Sequence, residues 1–411
     1  MRLVVQKFGG SSVSSVEHIR MVAQRVAQTY AQGNQCVVTV SAMGKTTDQL
    51  VSLAGELSDH PPQREMDVLL TTGEQVSIAL LSMALQEKGL KAHPMTGWQA
   101  GIQTSPIHGR ARIEGIDTQR IRHCLEQDEI VVVAGFQGVS EEGEITTLGR
   151  GGSDTTAVAL AAALRADRCE IYTDVTGVFT ADPRMAPLAG KLQEISFEEM
   201  LELANLGAGV LHPRSVECAM IHKVPLVVRS SFVDEEGTWV KEAEKMKEEL
   251  NVRGIAHDLH VARIKVLGLP NQSQALTKLF SKLADHHINV DMIVTSEHDD
   301  ERIDVAFSVH EDEWKQACGV IESCATELDY IKVLSETNLA KVSVVGAGMV
   351  TNPGVAAKMF TSLSDAGVRI KMVSTSEIKI SCVIPWDQAK DAVQELHSAF
   401  GLDVKEKASV G

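Results

Sequence analysis

The sequence predicts an α/β protein, in which a three-layer αβα domain with a mostly parallel sheet precedes two small α+β domains of the ferredoxin-like type. Up to about Ser231, runs of β-branched apolar residues alternate with helical stretches. A charged stretch follows, and the rest of the chain contains an internal repeat. Apolar strands that alternate with helices are typical of a parallel sheet covered on both faces.

The elements of the first domain follow from these patterns. Apolar runs predict strands at 3–8, 36–41, 130–136, 169–173 and 226–230. Helical stretches are expected at 13–32, 63–87, 155–165, 197–205 and 214–222. The Glu-Glu-Gly-Glu sequence at 141–144 is typical of a hairpin tip at the surface.

A charged linker helix is predicted at 233–255, because lysines and glutamates recur there three and four positions apart. Beyond it, 262–268 resembles 340–346, and 292–297 resembles 372–377. Each copy has the order strand, helix, strand, strand, helix, strand, which is the ferredoxin-like pattern. The expected boundaries are therefore 1–232 for the first domain, 256–337 for the first repeat and 338–411 for the second.

Composition limits the classes of partner and compartment. The formal charge of −16 disfavours nucleic acid and anionic membranes, since either partner needs a basic face. The seven cysteines include no C-x-x-C pair, which indicates free thiols in a reducing compartment. The N-terminus lacks the pattern of a signal segment, and the apolar run 157–164 is too short to span a bilayer. We expect a cytoplasmic protein.

Two glycine-rich stretches, 7–12 and 149–154, each precede a helical stretch. Glycine lets the backbone approach an anion, and a helix N-terminus offers free N–H groups and a positive dipole end. Two such loops in one domain predict a phosphotransferase. In so acidic a chain, the cations inside these loops, Lys7 and Arg150, are the expected phosphate and carboxylate ligands.

Three other patterns do not support a site. Residues 44–46 resemble the end of a P-loop, but Thr39 stands at the first glycine position. Residues 346–348 follow a strand, but Thr351 stands at the third glycine position of a dinucleotide-binding fingerprint. The fourteen histidines show no metal-binding spacing, so no metal-ligating side chain is expected.

Several polar residues have two interpretations. Glu74 lies in an apolar helical stretch, where a carboxylate is costly to bury without a partner. It is a candidate ligand for a substrate ammonium, or a carboxylate at a helix N-terminus. Asp154 caps a helix, orients a lysine, or does both. Ser41 and Thr47 line a site at a strand end or simply cap the next helix.

Taken in order, the motifs at 7–12, 72–74, 149–154 and 172–175, with the C-terminal repeat, make the chain resemble the monofunctional aspartate kinases over essentially its whole length. The resemblance implies an amino acid kinase domain followed by two ACT domains, which are small-molecule regulatory modules. It also implies ATP-dependent phosphorylation of the aspartate side chain to 4-phospho-L-aspartate, the first step of lysine, threonine and methionine biosynthesis.

The resemblance also implies roles for individual residues. Lys7, Arg150 and Asp154 are the expected catalytic residues, with Asp154 orienting Lys7. The residues expected to bind ATP are Lys7, Gly9, Gly10, Ser11, Thr173, Asp174, Phe179, Asp182 and Arg184. Mg²⁺ is expected to bridge the ATP phosphates without a dedicated protein metal site. Residues expected to bind aspartate are Ser41, Thr47, Glu74, Arg150 and Ser153. Two positions depart from the family pattern: Ser11 replaces a common threonine, and Gly209 replaces a common lysine near ATP, so Gly209 receives no role.

The repeats are expected to bind an amino-acid effector, lysine and/or threonine, at ACT interfaces. The candidate effector residues are Gln274, Ala275, Asp291, Met292, Thr295, Asn352, Val355, Thr375 and Ser376. The other interpretation is that these residues only pair the two ACT sheets. The resemblance implies a homo-oligomer, or an α/β oligomer with a shorter form of the chain started internally at Met246.

Two alternative functions remain open from the sequence. One keeps the fold and changes the acceptor to glutamate, N-acetylglutamate or carbamate. The other is a non-catalytic amino-acid sensor that binds its effector through the repeats, which the intact set of Lys7, Arg150 and Asp154 disfavours.

Overall fold

The computed structural model describes residues 2–207, 209–243, 251–297, 299, 301–347, 349, 352 and 354–404. The predicted internal start at Met246 lies outside the described residues. The chain divides into two compact units. The first comprises Met1–Val178, Lys191–Asn205 and Gly209–Met246, and the second comprises Phe179–Gly190, Leu206–Ala208 and Lys247–Gly411.

The first unit alternates strands and helices, as predicted. Its strands are β1 (Arg2–Phe8), β2 (Asn34–Val40), β3 (Ala92–Met95), β4 (Ile102–Thr104), β5 (Ile113–Ile116), β6 (Ile130–Ala134), β7 (Gln137–Val139), β8 (Ile145–Thr147), β9 (Arg168–Thr173), β10 (Glu194–Ser196), β11 (Leu226–Ser230) and β12 (Thr238–Lys241). Its helices are α1 (Val16–Ala31), α2 (Thr46–Leu57), α3 (Gln63–Gln86), α4 (Gln119–Glu126), α5 (Gly152–Leu164), α6 (Phe197–Asn205) and α7 (Pro213–His222).

An eight-stranded sheet with the order β10-β12-β11-β9-β1-β2-β6-β3 forms the centre of this unit. Its pairs are parallel except β11 with β12. All five residues of β6 are buried, which is why this strand is apolar without alternation. Burying each such side chain stabilises the fold by roughly 1.5–3 kcal/mol. The predicted mostly parallel sheet is confirmed.

Helices cover both faces of this sheet. On one face, α1 and α3 pack residues such as Val22 and Leu81 against Phe8 and Val38. Lys7 points to the opposite face, because successive strand residues alternate, and Asp154 of α5 contacts it there. The unit therefore has the three layers that the sequence predicted. A smaller sheet, β5-β4-β7-β8, includes the hairpin whose turn holds residues 141–144.

Helix α3 is, by length and composition, the one described helix that would be able to cross a membrane. It carries the buried carboxylates Asp67 and Glu74 and packs Ile78 and Leu85 into the core under the sheet. These features are those of a core helix in a folded domain.

The second unit contains the internal repeat. Its elements are β13 (Asn251–Pro270), α8 (Ser273–Asp285), β14 (Ile293–Glu297), β15 (Arg302–His310), α9 (Trp314–Ser323), α10 (Ala325–Leu328), β16 (Lys332–Ala347), α11 (Gly354–Asp365), β17 (Met372–Thr375), β18 (Lys379–Pro385) and α12 (Ala389–Ala399). One antiparallel sheet runs through both repeats in the order β14-β15-β13-β16-β18-β17. Each repeat has its own buried core.

The two repeats are interlocked rather than strictly tandem. The second half of β13 pairs with residues 332–336 of β16, and these residues form the fourth strand of the first repeat. The first half of β13, from Asn251 to Asp258, pairs with 341–347 and occupies the fourth-strand position of the second repeat. That repeat therefore completes its sheet with residues that precede the first repeat, so the edge of β16 is not left without hydrogen bonds.

The predicted linker helix at 233–255 is wrong in the part of it that the structure describes. Residues Thr238–Lys241 form β12, and β13 begins at Asn251. Thr238 and Val240 are fully buried, because β12 pairs with β11 and every second side chain faces the core. Sheet pairing and burial override the local charge pattern here. Residues 244–250 lie outside the described residues.

Residues Phe179–Gly190 belong to the second unit, although the chain before and after them belongs to the first. The carbonyl of Thr180 accepts the N–H of Ile255 at 2.7 Å, and the N–H of Gly190 donates to the Thr180 hydroxyl at 2.9 Å. Ala181 and Ala186 are buried in the core of the second repeat. This segment is thus structurally part of the repeat unit.

Candidate active site

A cleft of about 640 Å³ lies in the first unit, where β1 and β2 end and α5 begins. In an open α/β sheet, ligands bind at the carboxyl ends of the strands. The structure brings many of the predicted site residues to this cleft: Lys7, Gly10, Ser41, Thr47, Glu74, Arg150, Ser153 and Asp154. Their binding roles stay predictions.

Lys7 and Asp154 form an ion pair inside the cleft. The ammonium of Lys7 lies 2.6 Å from Asp154 Oδ1, and their side chains are only 12% and 14% exposed. A Cβ on Gly9 would lie 3.4 Å from this ammonium, so the glycine leaves the cation uncovered on that side. The pair holds a positive charge at a defined place beside the first glycine-rich loop.

The second glycine-rich loop needs its glycines for steric reasons. Gly151 precedes α5 with φ +69°, and a Cβ there would lie 2.1 Å from Cγ of His212. A Cβ on Gly135 would lie 2.8 Å from the Ser153 hydroxyl oxygen. Close packing therefore places the N-terminus of α5, with its free N–H groups, directly at the cleft.

The first glycine-rich loop lies against the loop that follows β2. The N–H of Gly44 donates to the Gly10 carbonyl at 3.0 Å, and a Cβ on Gly10 would lie 3.0 Å from the Ala42 carbonyl oxygen. Gly10 thus brings the two loops together. Ser11 beside it is exposed.

Glu74 is the most unusual group in the cleft. Its side chain is buried, and Oε1 accepts the N–H of Ala42 at 3.1 Å. Among the described residues, Oε2 has no hydrogen-bond partner. Burial raises the pKa of Glu74 to about 7, although backbone hydrogen bonds from its own N–H and from Ala42 partly offset this. A buried carboxylate oxygen without a partner, on a residue that lines a cleft, is suited to a cationic ligand.

Arg150 lies at the mouth of the cleft. Arg150 is exposed, and within the described part of the chain no ion pair to its guanidinium is found. The charges of Arg150 and Arg214 contribute, after desolvation, to lowering the pKa of nearby His212. Arg150 is therefore available to bind a carboxylate or phosphate of a ligand.

Sequence reasoning missed Asp67, which organises one wall of the cleft. It is fully buried in α3 and accepts hydrogen bonds from the N–H of Gly109, at 3.0 Å, and from the Thr147 hydroxyl. His108 Nδ1 lies 2.8 Å from its Oδ2. The signal was present in the sequence, since Asp67 and Glu74 are seven residues apart and lie on one face of the helix.

The residues predicted to bind the nucleotide divide between the two units. Thr173 and Asp174 belong to the first unit, where the Thr173 hydroxyl donates to Asp174 Oδ1 at 3.0 Å. Phe179, Asp182 and Arg184 belong to the second unit. There Arg184 binds Asp182 at 2.7 Å and lowers its pKa. None of the five lines the cleft described above, and their nucleotide-binding role stays a prediction.

The predicted effector residues also occupy different environments. Met292 lies in one apolar cluster with Met372, which joins the two repeats, and Asp291 forms an ion pair with the buried Lys341. Ala275 and Val355, in contrast, are buried in two separate cores. The remaining effector candidates are exposed or half-buried: Gln274, Thr295, Asn352, Thr375 and Ser376.

A groove of about 440 Å³ lies beside several of these residues. Its lining includes Ser296 and Val294 from the first repeat and Lys371, Met372 and Val373 from the second. None of the nine effector candidates is among the residues that line it, although Thr295 stands between Val294 and Ser296, which do. The described residues therefore do not gather the nine candidates into one site, and their effector-binding role stays a prediction.

Comparison with known proteins places the chain in a family. The model of the amino acid kinase family matches residues 2–230, and an ACT domain model matches residues 342–400. The chain is 58% identical over 410 residues to the aspartokinase of Geobacillus stearothermophilus, with all of both chains covered. It is 56% identical to aspartokinase 2 of Bacillus subtilis, with 98% of each chain covered. The chain belongs to the aspartokinase family.

Solved structures of similar proteins agree with this assignment. Aspartokinase III of E. coli, solved with aspartate and ADP in the R-state, has a TM-score of 0.81 at 27% identity and is matched over 97% of this chain and 99% of that one. The same enzyme with lysine and aspartate in the T-state has a TM-score of 0.76 at 27% identity, over the same shares of both chains. The predicted fold class, an amino acid kinase domain with ACT domains, is confirmed, and the chain is a phosphotransferase.

Proposed function

We propose that this aspartokinase transfers the γ-phosphoryl group of ATP to the side-chain carboxylate of L-aspartate, giving 4-phospho-L-aspartate. The observation that carries the proposal is the cleft itself. It presents one buried carboxylate oxygen without a partner, one available guanidinium and one fixed ammonium at the N-terminus of a helix. An amino acid with an extra carboxylate, next to a polyphosphate, complements this set of charges.

Aspartate binding follows from the same charges. Glu74 Oε2 binds the α-ammonium, which restores the carboxylate form of Glu74, and Arg150 binds a carboxylate in a bidentate manner. The hydroxyl groups of Ser41, Thr47 and Ser153 at the cleft provide further hydrogen bonds. Asp67 is a positioning residue, since it holds the 108–109 loop and β8 against α3.

Phosphoryl transfer in this cleft relies on alignment and charge. The side-chain carboxylate of aspartate is already a nucleophile at neutral pH, so no general base is required. Lys7, Gly9 and Gly10, with the N–H groups that begin α5, stabilise the charge on the transferred group. Asp154 keeps Lys7 directed toward that group, which lowers the entropic cost of reaching the transition state.

Mg²⁺ enters this proposal as a companion of the nucleotide. Four described carboxylates line the cleft: Asp154 pairs with Lys7, Asp67 accepts from a loop amide and a hydroxyl, Glu74 is assigned to the substrate ammonium, and Asp48 is left. Within the described residues, no group of three metal-ligating side chains lies in the cleft. The donor set therefore fits a metal held mainly by ATP phosphates, where it neutralises their charge.

We also propose that an amino acid, lysine or threonine, regulates the enzyme through the repeats. The lysine-bound T-state of E. coli aspartokinase III supports lysine as the first candidate. The segment Phe179–Gly190 gives a physical route, because it carries three predicted nucleotide-binding residues and is built into the second repeat. Effector binding to this repeat would thereby act on the segment that carries Phe179, Asp182 and Arg184.

Assembly and location complete the proposal. In the part of the chain that the structure describes, the exposed strand β14 lies at one edge of the second-unit sheet, which favours pairing with another subunit. We propose a cytoplasmic homo-oligomer, or an oligomer with a shorter form of the chain. Native mass spectrometry of the purified protein measures its stoichiometry and shows whether one or two chain lengths are present.

The function is tested by trapping the acyl phosphate with hydroxylamine in the presence of ATP, Mg²⁺ and aspartate. Hydroxamate from aspartate, and much less from glutamate, supports the proposal. Preferential product from glutamate or N-acetylglutamate would move the assignment to another acceptor. Nucleotide binding without any hydroxamate would support the sensor. Repeating the assay with lysine and threonine tests the regulatory part separately.

A further inference from the structure

A second cluster of chemically active side chains lies outside the cleft. His93 on β3, Cys124 on α4 and Glu129 before β6 each place one potential ligand atom close to the other two. A nitrogen, a sulfur and a carboxylate oxygen all lie within 4.8 Å of one another. The proposed phosphoryl transfer makes no use of this cluster.

The separation of two of the three ligand atoms agrees with a tetrahedral metal site. His93 Nδ1 and Glu129 Oε2 are 3.3 Å apart. Two ligands that each lie 2.0–2.1 Å from one tetrahedral zinc ion are separated by about 3.3 Å. Thiolate, imidazole and carboxylate together are a donor set for zinc, whereas Mg²⁺ and Ca²⁺ prefer oxygen ligands alone.

The backbone holds the three residues in place. Strand β3 pairs in parallel with β6, and His93 lies opposite Val131. The N–H of Glu129 donates to the Cys124 carbonyl at 3.0 Å, which fixes the turn between α4 and β6. Cys124 is 5% exposed and lies on the buried face of α4. The ligands are therefore arranged before a metal binds, as a specific site requires.

Exposure of the cluster leaves room for a fourth ligand. The side chains of His93 and Glu129 are 38% and 23% exposed, so a water molecule can reach the metal from solvent. Zinc binding releases the thiol proton to solvent, and the thiolate becomes the sulfur ligand.

We propose that His93, Cys124 and Glu129 bind one zinc ion, which ties the edge strand β3 to α4 and β6. The cluster lies at the end of the sheet order and shares no residue with the cleft, so the ion acts on the sheet edge and takes no part in the proposed phosphoryl transfer. Strand β3 has four residues and, among the described strands, pairs only with β6, so a metal ion would add a second tie to this edge.

Cobalt provides the direct test. The full-length protein is stripped with EDTA, dialysed and titrated with Co²⁺, which reports a thiolate ligand by a charge-transfer band in the near ultraviolet. We expect the band to saturate at one Co²⁺ per chain and to disappear when Zn²⁺ is added. It should be absent in Cys124→Ser and unchanged in Cys318→Ser, which removes another partly buried thiol. A band retained in Cys124→Ser would overturn the proposal.

Zinc affinity and stability provide a second readout that does not depend on the thiol variant folding. His93→Gln and Glu129→Gln alter partly exposed side chains, and each should weaken zinc binding by more than about tenfold. Zinc should raise the thermal midpoint of the wild-type protein and not that of these variants, because the ion binds the native state alone. Equal zinc affinity in wild type and both variants would contradict the site.

Discussion

Lys7 and Asp154 show how a single pair of residues defines a charge in the cleft. Adjacent residues of a strand face opposite sides, so Lys7 faces α5 while Phe8 enters the core on the other side. The motif in the sequence predicted a site-facing lysine. The resemblance implied Asp154 as the group that orients it, and the two side chains meet because α5 packs on that face of the sheet.

Replacing Lys7 tests its proposed role. Lys7→Ala should lower kcat by about a hundredfold or more, because a fixed cation is removed from the transferred phosphoryl group. The far-ultraviolet circular dichroism should stay that of the wild type. Lys7→Arg retains the charge and should keep more activity than Lys7→Ala. Wild-type turnover by Lys7→Ala would refute the site assignment.

The raised pKa of Glu74 predicts that aspartate binding depends on pH. Burial raises its pKa to about 7 in the free protein, so below pH 7 the residue is mostly neutral and attracts an ammonium weakly. The KM for aspartate should therefore fall by about tenfold between pH 6 and pH 8. Glu74→Gln should raise this KM and abolish its fall with pH. The steady-state pH profile of both proteins checks this.

The same raised pKa makes folding stability depend on pH in the opposite direction. The folded chain favours the neutral form of Glu74, so its contribution to stability is fully present below its ordinary pKa. That contribution is lost as the pH rises toward 7. The free energy of unfolding of Glu74→Gln should lack this loss, which urea denaturation at a series of pH values measures.

At the scale of elements, the five strands and five helices that the sequence predicted for the first unit are present, whereas α2, α4 and several short strands such as β3 and β12 were not predicted. The start of α1 differs from the prediction, since residues 10–13 form a 3₁₀ turn and the helix begins at Val16. Ser15 is its N-cap and accepts the N–H of His18. A helical period extends through such a turn, so periodicity alone could not locate the boundary.

Gly73 in the middle of α3 provides a test of packing at this scale. A Cβ there would lie 2.8 Å from the Cβ of Ala42, in the loop that bears Ser41. Gly73→Ala should destabilise the fold by roughly 1–3 kcal/mol through overpacking, and it should raise the KM for aspartate by displacing Glu74 and this loop.

Gly55 is the matched control, because it lies in α2 and a Cβ there meets nothing within 4 Å. Gly55→Ala should stabilise the protein by about 0.5–1 kcal/mol through helix propensity. Thermal and urea unfolding of both variants separate the two effects. A stabilising Gly73→Ala would show that α3 does not pack tightly on the β2 loop.

At the scale of the whole molecule, the contacts of the segment Phe179–Gly190 allow the proposed inhibition by an effector to be tested separately from turnover. The Thr180 hydroxyl lies 2.8 Å from His397 Nε2, and His397 Nδ1 lies 2.7 Å from Asp403. These contacts anchor the segment to the last helix of the second repeat. They involve none of the residues that line the cleft.

Breaking this anchor should weaken feedback inhibition. His397→Ala should raise the effector concentration needed for half inhibition severalfold, with kcat within about twofold of the wild type, since coupling energies are of order 1–3 kcal/mol. His286→Ala, at the exposed end of α8, is the control and should leave inhibition unchanged. Undiminished inhibition of His397→Ala would show that the signal takes another route.

The sequence was sufficient for the class of fold, the repeat and the glycine-rich loops, because local period, steric need and motif order are all properties of neighbouring residues. Contacts between residues that lie far apart in the sequence were decided by the tertiary structure. Asp67 meets the 108–109 loop, the first half of β13 completes the second repeat, and His93 reaches Cys124 only because β3 and β6 pair. Such contacts depend on the register and order of strands, and those are set when the whole chain packs rather than by any local pattern.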